Sequence, residues 1–102
     1  RSIAVYPATG ANDVSVAEYV ITAALVLLRR AWFATDRVAA GEWPRNDLMG
    51  CEMSGKTLGL VGFGAIARET AARARAMGMR VIAYDPFIKA DNPVWAALGA
   101  EL

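Results

Sequence analysis

The sequence predicts an α/β fold: a partial doubly wound parallel sheet preceded by a long apolar helix. Three observations carry that expectation. Two short β-prone runs, residues 56–61 and 80–84, flank a helix-prone stretch over residues 65–77. Two glycines, Gly62 and Gly64, stand where the first run hands over to the helix. Upstream, the thirteen residues 16–28 hold only two strongly polar side chains, Glu18 and Thr22.

Taken in order, Ile3-Ala4-Val5-Tyr6 is β-like and ends at Pro7, and residues 7–13 read as a loop with Gly10 and Asn12. Ser15 followed by Glu18 has the spacing of a capping box, which predicts a helix from Val16 to Ala31 with Ser15 as its N-cap. Glu18, Thr22 and Arg29 form one narrow polar stripe on it, so most of its circumference must be covered. In so short a chain the second cover is expected from another domain or a second subunit, the alternative being a helix central to its own small core. Residues 32–40 continue as a shorter helix stopped by Gly41, and residues 43–54 form a loop. The helix over 65–77 should turn Ile66, Thr70, Ala74 and Met77 inward, and Gly78 should end it. Asn92 and Pro93 open a short helix through Leu98 that Gly99 closes, and Ala100 begins a third strand. Strand, helix, strand at this spacing pairs only in parallel, and such a sheet needs helices on both faces. The chain supplies too few of either for a whole fold.

Composition narrows the function. The chain has 102 residues, 56% of them hydrophobic, which excludes a disordered segment, and alanine contributes 21. Eleven basic and ten acidic residues give a net charge of +1 without clusters, so no nucleic-acid footprint is expected. The longest apolar stretch is too short for a membrane span. A single cysteine, Cys51, forms no internal disulfide, which fits a cytoplasmic protein. There is no histidine, so no Ser-His-Asp triad, Cys-His pair or histidine-bearing metal site can be built from these residues. The opening Arg1-Ser2 has no signal-peptide pattern and is expected of a piece of a longer chain.

Gly62-Phe63-Gly64-Ala65-Ile66-Ala67 has the form G-x-G-x-x-G/A between strand and helix. Gly62 permits a tight turn, Gly64 lets a pyrophosphate approach bare main chain, and Ala67 lets the helix lie against the sheet. The Ala65 and Ile66 amides at the helix N-terminus are the natural phosphate donors. Asp85, 18 residues beyond Ala67, is placed to accept hydrogen bonds from ribose hydroxyls and to repel a 2′-phosphate, which favours NAD over NADP. Without Asp85, two glycines beside a strand are as well explained by a tight turn. Upstream, residues 50–57 match G-x-x-x-x-G-K-[ST], but a loop precedes them and a strand follows, the wrong setting for a triphosphate-binding loop.

These pieces resemble the D-isomer-specific 2-hydroxyacid dehydrogenases. The matching runs are Gly10-Ala11-Asn12, Ser15 to Tyr19, Leu28-Arg29-Arg30, Gly41-Glu42-Trp43, Gly55 to Ile66, Gly78-Met79 and Tyr84-Asp85-Pro86. The resemblance implies a Rossmann cofactor domain and NAD-dependent interconversion of a 2-hydroxy acid and a 2-keto acid. It implies cofactor contacts at Gly62, Gly64, Ala65, Ile66 and Asp85. It places residues 1–13 at the end of a substrate domain and 14–102 in the first part of the NAD-binding domain, with the long helix at a homodimer interface. Asn12 falls near the cleft between the domains, as a substrate contact or as a loop residue bonding its own backbone. Two departures are Ala67 where the family usually has glycine, and Pro7-Ala8-Thr9-Gly10 where Asn-x-Pro-Gly is common. The Ala8 to Asn12 spelling is similar to that of sulfolactate- and malate-type members. The family's catalytic Arg, Glu and His would lie after residue 102, so these residues alone are expected to be inactive, with neither catalytic nor metal-ligating side chains. The alternatives are a non-catalytic Rossmann module assembling through the long helix, and another Rossmann enzyme sharing only the cofactor turn.

Overall fold

The computed structural model describes residues 2–102. Helix α1 (Asp13–Arg29) comes first, then a 3₁₀ turn (Trp32–Ala34) running into α2 (Thr35–Ala39). The sheet unit follows as β1 (Thr57–Val61), α3 (Ala65–Ala76), β2 (Arg80–Tyr84), α4 (Val94–Leu98) and β3 (Ala100–Glu101). The three strands are parallel in the order β1-β2-β3, with Thr57 opposite Arg80 and Val81 opposite Ala100. Every predicted element from Lys56 onward is present within about a residue of its expected ends.

Alternation along the strands decides which face is covered. Val81 and Ala83 are buried beneath α3, whereas Arg80, Ile82 and Tyr84 point to the other side and are exposed. The helices lie on one face, where Phe63, Ala71, Ala74, Val81 and Trp95 form the core. The opposite face, lined by Gly59, Val61, Ile82 and Tyr84, stays open as a shallow cavity of about 500 Å³. Half of a doubly wound architecture is therefore built. On α3 the inward positions are Thr70, Ala71 and Ala74, and Met77, expected inside, is 38% exposed because it sits at the C-cap. Gly78 at φ +79° then ends the helix: its amide donates to Arg75 and that of Met79 to Ala74.

The N-terminal third departs from expectation in three places. Ile3, Val5 and Tyr6 are each more than four-fifths exposed and form no strand, because no neighbouring strand lies beside them among the described residues. Helix α1 starts a turn early: the Asn12 carbonyl accepts the Val16 amide at 3.0 Å, Asp13 supplies the first-turn negative charge, and Ser15 lies inside the helix with no capping bond. The helix also stops at Arg29, where Arg30 turns left-handed at φ +53°, and the Arg30 side chain is held by donating Nη1–H to the Asp47 carbonyl at 2.9 Å. Helix α1 packs on α3 and buries Ala17, while Tyr19 and Leu27 on its remaining apolar surface are exposed. Among the described residues no helix is long and apolar enough to cross a membrane.

Gly50 ties the loop to α1. The Cys51 amide donates to Leu28 O at 2.7 Å, satisfying a carbonyl the helix end leaves unpaired. A Cβ at Gly50 would lie 2.7 Å from Arg29 Cα and closer still to the Leu28 carbonyl oxygen, so main chain itself would have to move. Gly50→Ala is expected to destabilise the fold by about 2 kcal/mol, read from the urea midpoint; an unchanged midpoint would refute the tight approach.

Candidate cofactor site

The site is the corner where β1 meets α3. Gly62 continues the ladder by donating its amide to Tyr84 O at 2.7 Å, and then turns at φ +89°, a conformation that favours glycine. Gly64 is the N-cap of α3 at φ −72°, a backbone any residue adopts, and a Cβ there would meet nothing within 4 Å. Neither the backbone nor the packing of this chain requires glycine at position 64. What its absent side chain leaves free is the space in front of the helix. That space belongs to a groove of about 420 Å³ lined by Gly62, Gly64, Ala65 and Ile66, with Asp13 and Val20 of α1 on its wall. The amides of Gly64, Ala65 and Ile66 have no backbone acceptor among the described residues, and no acidic side chain occupies the first turn of α3. Three free donors and a twelve-residue helix dipole thus converge on an open cradle, the chemistry that fits a phosphate group.

Asp85 stands at the end of β2 with both carboxylate oxygens engaged. Oδ2 accepts the Phe63 amide at 2.7 Å and Oδ1 accepts the Phe87 amide at 2.8 Å. These bonds, the Phe63 amide foremost, together with the Ile88 amide and the nearby Arg68 charge, outweigh burial and hold the carboxyl below the usual carboxylate range. The resulting stabilisation is present in full above about pH 4 and is lost as pH falls through the depressed folded value. At neutral pH Asp85 is a fixed negative charge.

Residue 63 between the two glycines is the best-held side chain here. Phe63 is fully buried and its ring stacks on Trp95 with centroids 4.7 Å apart. Arg68 donates from Nε to the Phe63 carbonyl at 2.9 Å and lies over its ring, 6.0 Å from the centroid. The Trp95 indole donates to Lys89 O at 2.8 Å, fixing the stack from the other side. Sequence reasoning singled out none of Phe63, Arg68 or Trp95 for this corner. Their one legible signal is an aromatic inside a glycine turn, which says nothing of a partner 32 positions later. Of the residues expected at the site, Gly62, Gly64, Ala65 and Ile66 share the groove, Asp85 is outside its lining but bonded to the Phe63 amide of the turn, and Asn12 is exposed at the start of α1. The G-x-x-x-x-G-K-[ST] run makes no cradle: Gly50 is pressed on α1, and Thr57 begins β1 rather than a helix.

A glycine turn between a parallel strand and a helix, answered by a carboxylate at the end of the next strand, defines a dinucleotide-binding α/β domain of the Rossmann class. The chain belongs to the D-isomer specific 2-hydroxyacid dehydrogenases, whose pattern, described as "D-isomer specific 2-hydroxyacid dehydrogenase, NAD binding domain", matches residues 21–101. Among curated relatives, the (S)-sulfolactate dehydrogenase of Chromohalobacter salexigens is 61% identical over 93 residues, 91% of this chain and 30% of that protein. The D-3-phosphoglycerate dehydrogenase of Archaeoglobus fulgidus is 41% identical over 92 residues, 90% of this chain and 18% of that one. Among solved structures, the apo D-lactate dehydrogenase of Escherichia coli superposes with a TM-score of 0.76 at 32% identity, over 88% of this chain and 28% of that one. The NAD-dependent formate dehydrogenase of Staphylococcus aureus in complex with NAD gives 0.77 at 30% identity, over 91% and 27%. The chain therefore spans less than a third of each of these proteins. Family membership removes the unrelated Rossmann enzyme from the sequence alternatives.

Proposed function

We propose that Gly62, Gly64, Ala65, Ile66 and Asp85 hold NAD in a protein that interconverts a 2-hydroxy acid and a 2-keto acid. The observation that carries this reading is the bare Gly64 cradle in front of three unpaired helix amides. The Ala65 and Ile66 amides donate to the diphosphate, and Gly62 and Gly64 let it reach main chain. With three amides on its two oxygens, Asp85 keeps lone-pair capacity for one more donor, and this accepts an adenosine ribose hydroxyl. Bound NAD supplies the hydride acceptor. This chain positions it; the sequence holds no histidine, and no arginine among the described residues lines the groove.

Residues 1–13 belong, on this reading, to the edge of a substrate domain and 14–102 to the cofactor domain. The exposed Tyr19 and Leu27 of α1 support a homodimer through that helix, and a lone exposed cysteine supports a cytoplasmic setting. The relative at 61% identity makes sulfolactate the first substrate to try. The test is NADH formation by the whole protein carrying this domain, offered sulfolactate, phosphoglycerate and lactate. Turnover of one of them supports the reading; NAD binding without turnover of any 2-hydroxy acid would leave a nucleotide-binding module.

Asp85→Ala is expected to raise the NADP/NAD affinity ratio about tenfold by removing the charge that repels a 2′-phosphate. NAD affinity itself should fall, because Phe63 loses its acceptor. An unchanged ratio would take Asp85 off the ribose.

A further inference from the structure

The two peptides of the glycine turn are each pinned by one side chain, and the two side chains come from different elements. Asp85, at the end of β2, accepts the Phe63 N–H, which fixes the Gly62–Phe63 peptide. Arg68, on α3, donates to the Phe63 carbonyl, which fixes the Phe63–Gly64 peptide. A trans peptide is planar, with its C=O and N–H pointing in opposite directions. Holding the Phe63 carbonyl on Arg68 therefore aims the Gly64 N–H away from Arg68. Gly64 lines the groove and Arg68 does not.

Arg68 also sits where a helix least favours a cation. It is the fourth residue of α3, close to the positive end of the dipole, where the first turn carries no acidic residue and the following Glu69 is paired with Arg73. A helix built for stability alone would place Asp or Glu there. The guanidinium has two compensations, the Phe63 carbonyl and the nearby Asp85 charge, and both converge on the turn.

We propose that Arg68 is a positioning residue for diphosphate binding: through the Phe63 carbonyl it presets the Gly64 amide as a donor, without touching the ligand. This rests on the assignment of the diphosphate to the glycine turn. Preset donors need no reorganisation when the anion arrives, so losing Arg68 weakens the diphosphate contacts and spares the adenosine end.

The test compares Arg68→Met, which keeps the stem packing, with Arg68→Lys in the whole protein carrying this domain. Binding of ADP-ribose and of adenosine is followed by titration. Arg68→Met is expected to weaken ADP-ribose about tenfold and adenosine less than twofold, with partial recovery in Arg68→Lys, whose ammonium can still donate to the carbonyl. The loss should be the same at low and high salt, because no charge meets the phosphate directly. Equal weakening of both ligands would mean general destabilisation and would overturn the proposal. So would a loss that shrinks as salt rises, which would put Arg68 on the phosphate itself. Amide spectra of the unmodified protein separate this inference from its foundation. If ADP-ribose leaves the Gly64, Ala65 and Ile66 amides unshifted, the diphosphate lies elsewhere and the cofactor assignment falls. If they shift and Arg68→Met binds normally, only the role of Arg68 falls.

Discussion

Gly64→Val is expected to weaken NAD binding by more than about a hundredfold while leaving the fold in place. The dissociation follows from two facts about one position. The backbone at Gly64 is extended, so valine enters without strain, and a Cβ there meets no atom of the chain within 4 Å. The branched side chain then fills space in front of the Ala65 and Ile66 amides, and a diphosphate that stops short of them loses charge-assisted bonds at a helix N-terminus. Stability should drop by about 1 kcal/mol, because valine is a poorer N-cap than glycine. Calorimetric titration of NAD beside thermal melts reads both quantities. Undiminished affinity would show that the cofactor does not use this corner.

Phe63→Ala should have the opposite profile, a loss of stability of about 4 kcal/mol. Phe63 is fully buried and face to face with Trp95, so truncation leaves a cavity beneath the turn with the indole on one wall. The polar clamp survives, because Asp85 and Arg68 grip the main chain of residue 63 rather than its ring. Phe63→Leu fills much of that space and should cost about 1 kcal/mol. Urea unfolding of the two variants measures the difference. A loss below about 1 kcal/mol for the alanine variant would mean the ring is not a core residue.

The sheet unit was legible because its elements are punctuated by residues whose physics is local. Gly62, Gly78 and Gly99 turn with positive φ where the sequence places them, and Asn92 Oδ1 accepts the Val94 amide at 3.0 Å, as its position ahead of Pro93 predicts. The ends of α1 were not legible for the converse reason. Its start uses a main-chain carbonyl at Asn12 in place of the Ser15 hydroxyl, and its stop is a left-handed arginine stabilised by Asp47, 17 residues away. Residues 3–6 show that β propensity without a neighbouring strand does not make a strand. At the candidate site the cradle itself could be read from glycine spacing, together with Asp85. The clamp on Phe63 could not, because it joins residues 63, 68, 85 and 95, whose proximity exists only once the sheet has formed.

The Phe63–Trp95 stack also gives the protein an internal optical gauge. Trp32 and Trp43 are 77% and 83% exposed, whereas Trp95 is 5% exposed. Iodide will therefore quench the first two indoles and spare the third, whose emission lies to the blue. The residual fluorescence reports on a single aromatic contact at the glycine turn, so tightening or loosening of that corner can be followed in solution without any attached dye.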